Sequence, residues 1–565
     1  MYRTIGRGGD DRVTGRYVAA EAIDDRTTAV VCRLISIRSR RIAPVVEGAL
    51  AQPETPYTVH TSNTMTLDRP DTVSTTRRRL LSTPFVGAAG ALSGQFGPAR
   101  RVGSSDDSLP THLDDRMPEL LDRYDVTGAS IALVEGGEVT WSGAYGSADP
   151  ADGRPMSADT PFRVQSLTKS VTAWGVLTLV KQDVLALDDP VGQHLTSWER
   201  PDAEYSWADV TVRRLLGHSA GMPAGGYESV PLDEEPPPLR EALSGNAGGP
   251  AARPTSEPGE FRYSNIGYAL LELLVEDVTG RDFTAYMHDE LLEPLGMDDA
   301  TFVATERLRS ELATEHFADG TPVPASHGPA SAHAELYATA EDIARFVAAG
   351  TETSEEPVGR GVLAPESVAE IYAPIVGTTG FYGLASDGAG LGHFVETFSE
   401  AERAVMNGGQ GAGSWHWLHT VPETGDGIVV LTNSERSVQL IVDIVEAWTD
   451  RRDLPASSLT RARRWIRLPI WILVGVAIGL AIRLGYGTIA GTRTFAPLSD
   501  RDRTTRGILG GLGVVTLGLW WTIGREAVAF FLPVIAEWIG LALSAVVVIL
   551  LVTILFPRTE TGDPA

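Results

Sequence analysis

Phe162-Arg163-Val164-Gln165-Ser166-Leu167-Thr168-Lys169-Ser170-Val171-Thr172-Ala173 opens a helical run, because Leu167, Val171, Trp174 and Leu177 recur near one helix face. Ser166 and Lys169 then share a face, one turn apart. A serine hydroxyl is a poor nucleophile at neutral pH, and a lysine becomes its base only where burial or neighbouring cations lower its proton affinity. A Ser-x-x-Lys pair at the start of a buried helix supplies that geometry. Taken alone, the tetrapeptide is far more often structural. Its weight comes from composition: of 47 basic residues only Lys169 and Lys181 are lysine, the rest being arginine. Where arginine takes almost every cationic position, a lysine at 169 points to a group that has to lose its proton.

Outward from this helix, strand patterns gather at both ends of the central region. Ala129 to Glu135 and Glu138 to Tyr145, joined by Gly136-Gly137, read as a β-hairpin. Trp415 to Val421 and Ile428 to Asn433, either side of a Pro-Glu-Thr-Gly-Asp-Gly turn, read as a second, with Val438 to Trp448 as a closing helix. The middle is helical in period, as at Leu270 to Val278 and Glu341 to Ala349. The fold class expected is α+β: an antiparallel sheet flanked by helices beside a helical subdomain.

Three further segments carry chemistry. Pro258-Gly259-Glu260-Phe261-Arg262-Tyr263-Ser264-Asn265-Ile266-Gly267-Tyr268 sets a Tyr-x-Asn in a loop before a helix. A tyrosine oxygen near a lysine ammonium can pass protons, and an asparagine amide can hold a substrate carbonyl. The others are Val210 to Pro223, containing Gly217-His218-Ser219-Ala220-Gly221, and Met406-Asn407-Gly408-Gly409-Gln410-Gly411-Ala412-Gly413 before the last hairpin.

In order and spacing these motifs, with Leu291 to Met297, resemble the serine β-lactamase-like family of class C β-lactamases, penicillin-binding proteins and related esterases, from about Leu109 to Trp448. The resemblance implies a β-lactamase/transpeptidase-like fold and an acyl-enzyme mechanism without cofactor or metal. It makes Ser166 the nucleophile, Lys169 its base and Tyr263 the proton shuttle. Asn265, Asn407, Gly408, Gly409 and Gln410 become substrate-binding, with the N–H groups of Ser166 and Gln410 as the oxyanion hole. One position departs from the family pattern: Asn407 stands where lysine or histidine is usual, which weakens recognition of a substrate carboxylate, and so of β-lactams. β-Lactams, D-amino-acid peptides and simple esters are all hydrolysed within the resembled family.

Two other readings stay open. Gly217 to Gly221 matches the Gly-x-Ser-x-Gly elbow, which would make Ser219 the nucleophile of an α/β-hydrolase, although helix-like sequence rather than a strand precedes it. A ligand-binding or acylated sensor that does not turn over would keep the same motifs. His218 reads as a hydrogen-bonded structural residue. His416 and His419 fall on opposite faces of a strand, which argues against a metal site.

The totals bound the rest. A net charge of -26 repels phosphate backbones and argues against nucleic acid as partner, leaving a small molecule or peptide as substrate. The acid-rich, lysine-poor composition fits a halophile. The single Cys32 leaves the catalytic region with neither disulfide nor thiolate metal cage. Residues 1–64 read as a non-native or disordered extension, with translation starting at Met65. Residues 65–105 read as a twin-arginine export signal and linker, on Arg77-Arg78-Arg79 followed by the apolar run Ser82 to Gly94. The hydrolase domain is expected over 106–450, a basic linker over 451–467 and a tail over 557–565. Between them, Leu468 to Ile482, Gly507 to Gly524 and Trp538 to Phe556 are charge-free apolar blocks that read as three transmembrane helices in contact with membrane lipid. Loop charge does not decide orientation, and the export signal places the catalytic domain outside the cell.

Overall fold

The computed structural model describes residues 108–490, except 352, 354, 355, 381, 400 and 401, together with 500–525 and 533–555. The expected export signal, the Met65 start, Cys32 and the tail 557–565 lie outside the described residues.

The first hairpin forms as its sequence directs. Strands β1 (Gly128–Glu135) and β2 (Glu138–Asp149) turn through Gly136 and Gly137, at φ +58° and +79°. Two successive left-handed residues are what a tight hairpin needs, and glycine adopts them without Cβ strain. The second hairpin joins β12 (Trp415–Val421) to β13 (Asp426–Thr432), and β13 lies antiparallel to β1 with Ala129 opposite Thr432. Chain ends of the domain therefore meet at the centre of one sheet. The remaining members are β3 (Arg154–Pro155), β8 (Val376–Gly377), β9 (Gly388–Ala389), β10 (Phe394–Thr397) and β11 (Arg403–Gln410), giving the order β3-β2-β1-β13-β12-β11-β10-β9-β8. Two short pairs stand apart: β4 (Phe162–Arg163) with β7 (Tyr337–Ala338), and β5 (Val230–Pro231) with β6 (Ser326–His327).

Alternation along β1 sends side chains into two cores. Ala129, Ile131 and Leu133 face α1 (Leu109–Tyr124) and the closing helix α7 (Val438–Arg451), which presents Leu440, Ile444 and Trp448. Ala132 and Val134 face the larger core with α2 (Thr168–Lys181), α4 (Asn265–Thr279) and α5 (Ala340–Ala349). Burial on both faces explains why β1 reads as nearly continuous apolar sequence. Helix α4 starts five residues before the expected Leu270 because Ser264 caps it, its Oγ accepting the Gly267 N–H at 3.1 Å. Antiparallel pairing throughout the sheet excludes the parallel sheet of an α/β-hydrolase.

Two expectations about the C-terminal region change. The stretch expected as a basic linker is docked on the domain: Ser457, Ser458, Thr460 and Arg463 are buried, and Arg463 pairs with Asp443 and Glu446 of α7. Arginines that look like a solvated run thus meet acids more than fifteen residues upstream. Beyond them, α8 (Ser458–Ile489) contains the first apolar block, while α9 (Asp500–Leu519) and α10 (Pro533–Leu555) carry most of the other two, and α10 packs against α8 and α9. Among the described residues no helix is long and apolar enough to cross a membrane, so the expected transmembrane spans are not borne out there. Charged residues interrupt or abut each block: Arg467 and Arg483 in α8, Asp500 to Arg506 in α9, and Glu537 in α10.

Candidate active site

Ser166 occupies a 3-10 turn, Gln165–Leu167, that runs straight into α2. Gln165 before it sits at φ +53°, a left-handed angle that costs a non-glycine residue energy and persists only where neighbours enforce it. They do: the Gln165 amide donates to Glu315 Oε1 at 3.0 Å, and the Ser414 hydroxyl donates to the same oxygen at 2.7 Å. This strained corner turns the chain from β4 into the helix and leaves Ser166 at its tip.

One turn along α2, Lys169 is almost fully buried, at 1% exposure. Its Nζ lies 3.0 Å from Ser166 Oγ and donates to the His333 carbonyl at 2.8 Å. Among the described residues no carboxylate pairs with it, and burial holds its ammonium well below the usual lysine range. The ammonium also lies 5.0 Å from the Tyr263 ring centroid and 5.7 Å from that of Tyr268. Tyr263 then donates its phenol hydrogen to Ser166 Oγ at 2.8 Å, across 97 residues of sequence. The serine oxygen is therefore held from two sides by groups that can exchange protons with it.

Supporting contacts fix these three. His333 is carried by a segment whose Ala332 N–H donates to Glu272 Oε2 at 2.8 Å, and whose Ala332 carbonyl accepts from Thr172 Oγ1 of α2 at 2.8 Å. Burial pushes the Glu272 carboxyl up to about 8. Half-buried Arg163 pairs with buried Glu335 and also donates to the Ala334 and Ser326 carbonyls at 3.1 and 2.8 Å. Tyr263 is packed by His218, whose ring centroid is 4.3 Å away and whose Nδ1 accepts the Ser264 N–H at 3.2 Å. Burial lowers the proton affinity of His218 well below the usual imidazole range. On the other side Tyr263 stacks on Tyr382 at 5.0 Å and 16°, and Phe394 stacks on both tyrosines.

Strand β11 closes the site. Gly409 lies so near the Val164 carbonyl that a Cβ would fall 2.3 Å from it, which explains glycine here without appeal to flexibility. Asn407 is 3% exposed and turned inward: its Nδ2 donates to the Ser166 carbonyl at 3.1 Å and to Ser170 Oγ at 2.9 Å, and its Oδ1 accepts the Gly408 N–H at 2.8 Å. These contacts clamp β11 to the nucleophile's turn and occupy both amide hydrogens of Asn407, the residue expected to bind substrate. Asn265 sits at the first turn of α4, with its Oδ1 buried and unpartnered among the described residues, and Gln410 ends β11 with its Nε2 in the same condition. Both side chains therefore have capacity left for a ligand.

The competing nucleophile is placed elsewhere. Ser219 is 4% exposed and follows helix α3 (Val212–Leu216), not a strand, so no elbow forms. His416 and His419 lie on opposite faces of β12, as expected. His416 Nε2 donates to the Arg163 carbonyl at 3.0 Å and its Nδ1 accepts the Thr432 N–H, while His419 meets the Trp448 ring edge-on. Exposed His288, Asp289 and Glu293 bring ligand atoms within 4.8 Å of one another, a common surface arrangement. Sequence reading missed the His333 carbonyl, the Arg163–Glu335 pair and the Tyr382–Phe394 stack; each depends on contacts between distant segments.

Comparison with known proteins agrees with this geometry. The family model described as Beta-lactamase matches residues 113–445. The chain is 27% identical over 343 residues to Penicillin-binding protein 4 of Amycolatopsis lactamdurans, covering 59% of this chain and 87% of that protein. It is 30% identical over 274 residues to Esterase EstB of Burkholderia gladioli, covering 43% of this chain and 70% of that one. A crystal structure of SurE matches with TM-score 0.50 at 25% identity, over 62% of this chain and 77% of that chain. The matched span covers more than half of the sequence and contains every residue of the site, so the chain belongs to the beta-lactamase family and is a serine hydrolase of the β-lactamase, D-peptidase and esterase type.

Proposed function

We propose that the protein cleaves an ester, amide or β-lactam bond through an acyl-enzyme on Ser166. The observation that carries this reading is the double approach to Ser166 Oγ, by Lys169 Nζ at 3.0 Å and Tyr263 OH at 2.8 Å. With Lys169 as the neutral amine, the serine proton moves to Nζ as Oγ attacks the carbonyl carbon. Tyr263 then returns a proton to the leaving group, and water reverses the path. The N–H groups of Ser166 and Gln410 serve as the oxyanion hole. The 3-10 turn supports this, because N–H groups at a helix start lack intrahelical acceptors. Asn265 and Gln410 orient the substrate. Asn407 is neutral and spent, so nothing at that position favours a carboxylate, and neutral acyl esters are the substrate class proposed.

The test is labelling with a fluorophosphonate followed by peptide mapping. The label is expected on Ser166, slowed by a neutral ester at least as well as by penicillin. Label on another residue, or none, overturns the assignment. Label that stays on from a true acyl donor would mark a sensor instead of an enzyme.

We further infer that the C-terminal helices hold the catalytic domain at a lipid surface, the domain facing outward. Support comes from where large apolar side chains are exposed. In the catalytic domain these are Val184, Val303 and Leu384, whereas α8 to α10 expose Ile472, Ile482, Ile489, Leu512, Val515 and Leu541 among others. An apolar surface of that extent marks a membrane or protein contact. Cell fractionation is expected to place the full chain in membranes, released by detergent. Recovery in the soluble fraction would refute the tether.

A further inference from the structure

We propose that Glu396 and Ser458 are positioning residues for Tyr263, so that the first turn of α8 braces the wall aiming the catalytic phenol at Ser166. The proposal rests on Tyr263 being the proton carrier. Glu396, on β10, is fully buried, and a buried carboxylate is costly unless paired. Its partners come from the start of α8. Ser458 donates its N–H to Oε2 at 3.0 Å, its hydroxyl lies 3.0 Å from the same oxygen, and Arg461 reaches Oε1 at 2.6 Å. The Ser458 hydroxyl also donates to the carbonyl of Ala385, the last residue of α6 (Tyr382–Ala385).

These two anchor points lie on the elements that carry two rings. Tyr382 opens α6, and Phe394 stands two residues before Glu396 on β10 and so on the same face of the strand. Both rings lie nearly parallel to Tyr263, at 16° and 18°, and Tyr382 and Phe394 stack on each other at 5.2 Å and 21°. One serine at the start of α8 therefore ties α6 to β10, and the two elements together set the plane of the Tyr263 ring. Downstream of this turn α8 continues without a break to Ile489, so load on the C-terminal helices reaches the phenol through Ser458. Nothing in the reaction chemistry itself calls for Glu396 or Ser458, and both lie outside the family's motifs.

The experiment uses the full chain with Ser458→Ala, Ser458→Thr, Tyr263→Phe and the Ser458→Ala/Tyr263→Phe pair. Ser458→Ala is expected to lower kcat for an alkyl ester about tenfold with KM unchanged, the size of effect that a slightly misplaced catalytic group produces. Ser458→Thr, which keeps the hydroxyl, should recover most of that loss. In the Tyr263→Phe background Ser458→Ala should cost nothing further, because the group it positions is gone. The same tenfold loss there, or an unchanged kcat in the single variant, overturns the proposal. Hydrogen exchange over residues 382–399 separates this failure from failure of the functional reading, since it needs no turnover. Faster exchange in Ser458→Ala than in the parent supports the brace, and identical exchange refutes it even if Ser166 reacts as expected.

Discussion

Replacing Lys169 by arginine is expected to slow acylation of Ser166 by about 10³ to 10⁴-fold, the upper range for loss of a general base. Arginine keeps the charge and most of the reach, but its guanidinium does not give up a proton in proteins. Lysine differs in that burial can make it neutral, and here burial alone lowers its proton affinity, with no carboxylate beside it among the described residues to raise it again. A lysine that merely neutralised a buried acid would need such a partner. Lys169→Gln controls for the larger arginine: it fits the space, cannot act as base, and should lose as much. The measurement is the rate of fluorophosphonate labelling, with the melting transition recorded for each variant. A near-parental rate in Lys169→Arg would remove Lys169 from the mechanism.

The same side chain sets a pH dependence. Only the neutral amine accepts the serine proton, so acylation should rise with pH through the lowered Lys169 value and level off above it. Folding stability moves the same way for a linked reason. Between that lowered value and the unfolded value near 10.5, the unfolded chain binds a proton that the native state has released, so this group makes stability increase with pH across the window. Lys169→Gln should abolish both slopes. A parental pH profile in that variant would assign the titration to another group.

The local features of this protein could be read without coordinates. Gly136-Gly137 marks the first hairpin because only glycine takes two successive positive φ values cheaply, and the Ser166–Lys169 spacing is a helix spacing. Alternation along β11 also places Asn407 opposite the core residue Met406, on the side of α2. Alternation does not say that the amide would be consumed by the Ser166 carbonyl and Ser170. That required the distance between β11 and α2, fixed by the close approach of Gly409 to Val164. The docking of Ser457 to Arg463 was hidden for a similar reason: Arg461, Arg463 and Arg464 look solvated until Glu396, Asp443 and Glu446 are brought opposite them. The apolar blocks after Leu468 were plain in hydropathy, whereas the charges that limit each helix acquire meaning only once the helix bounds are known.

Tyr263→Phe is expected to reduce turnover of alkyl esters by about 10³-fold and of nitrophenyl esters by no more than about tenfold, within the span that proton transfer contributes. The substitution removes one oxygen and keeps the ring, so the stack with Tyr382 and Phe394 and the contact with His218 remain. What disappears is the donor 2.8 Å from Ser166 Oγ. When the tetrahedral intermediate collapses, an alkoxide leaves slowly unless a proton reaches it, and the phenol, replenished from the nearby Lys169, is the group placed to deliver one. A nitrophenolate leaves readily as the anion and has little use for that proton. Leaving-group basicity therefore separates proton delivery from simple packing. A structural role for the hydroxyl, holding Ser166 in its rotamer, would slow attack on both ester types alike. Equal losses for alkyl and nitrophenyl esters, with the melting transition unchanged, would show that Tyr263 orients the nucleophile and leaves protonation of the leaving group to Lys169.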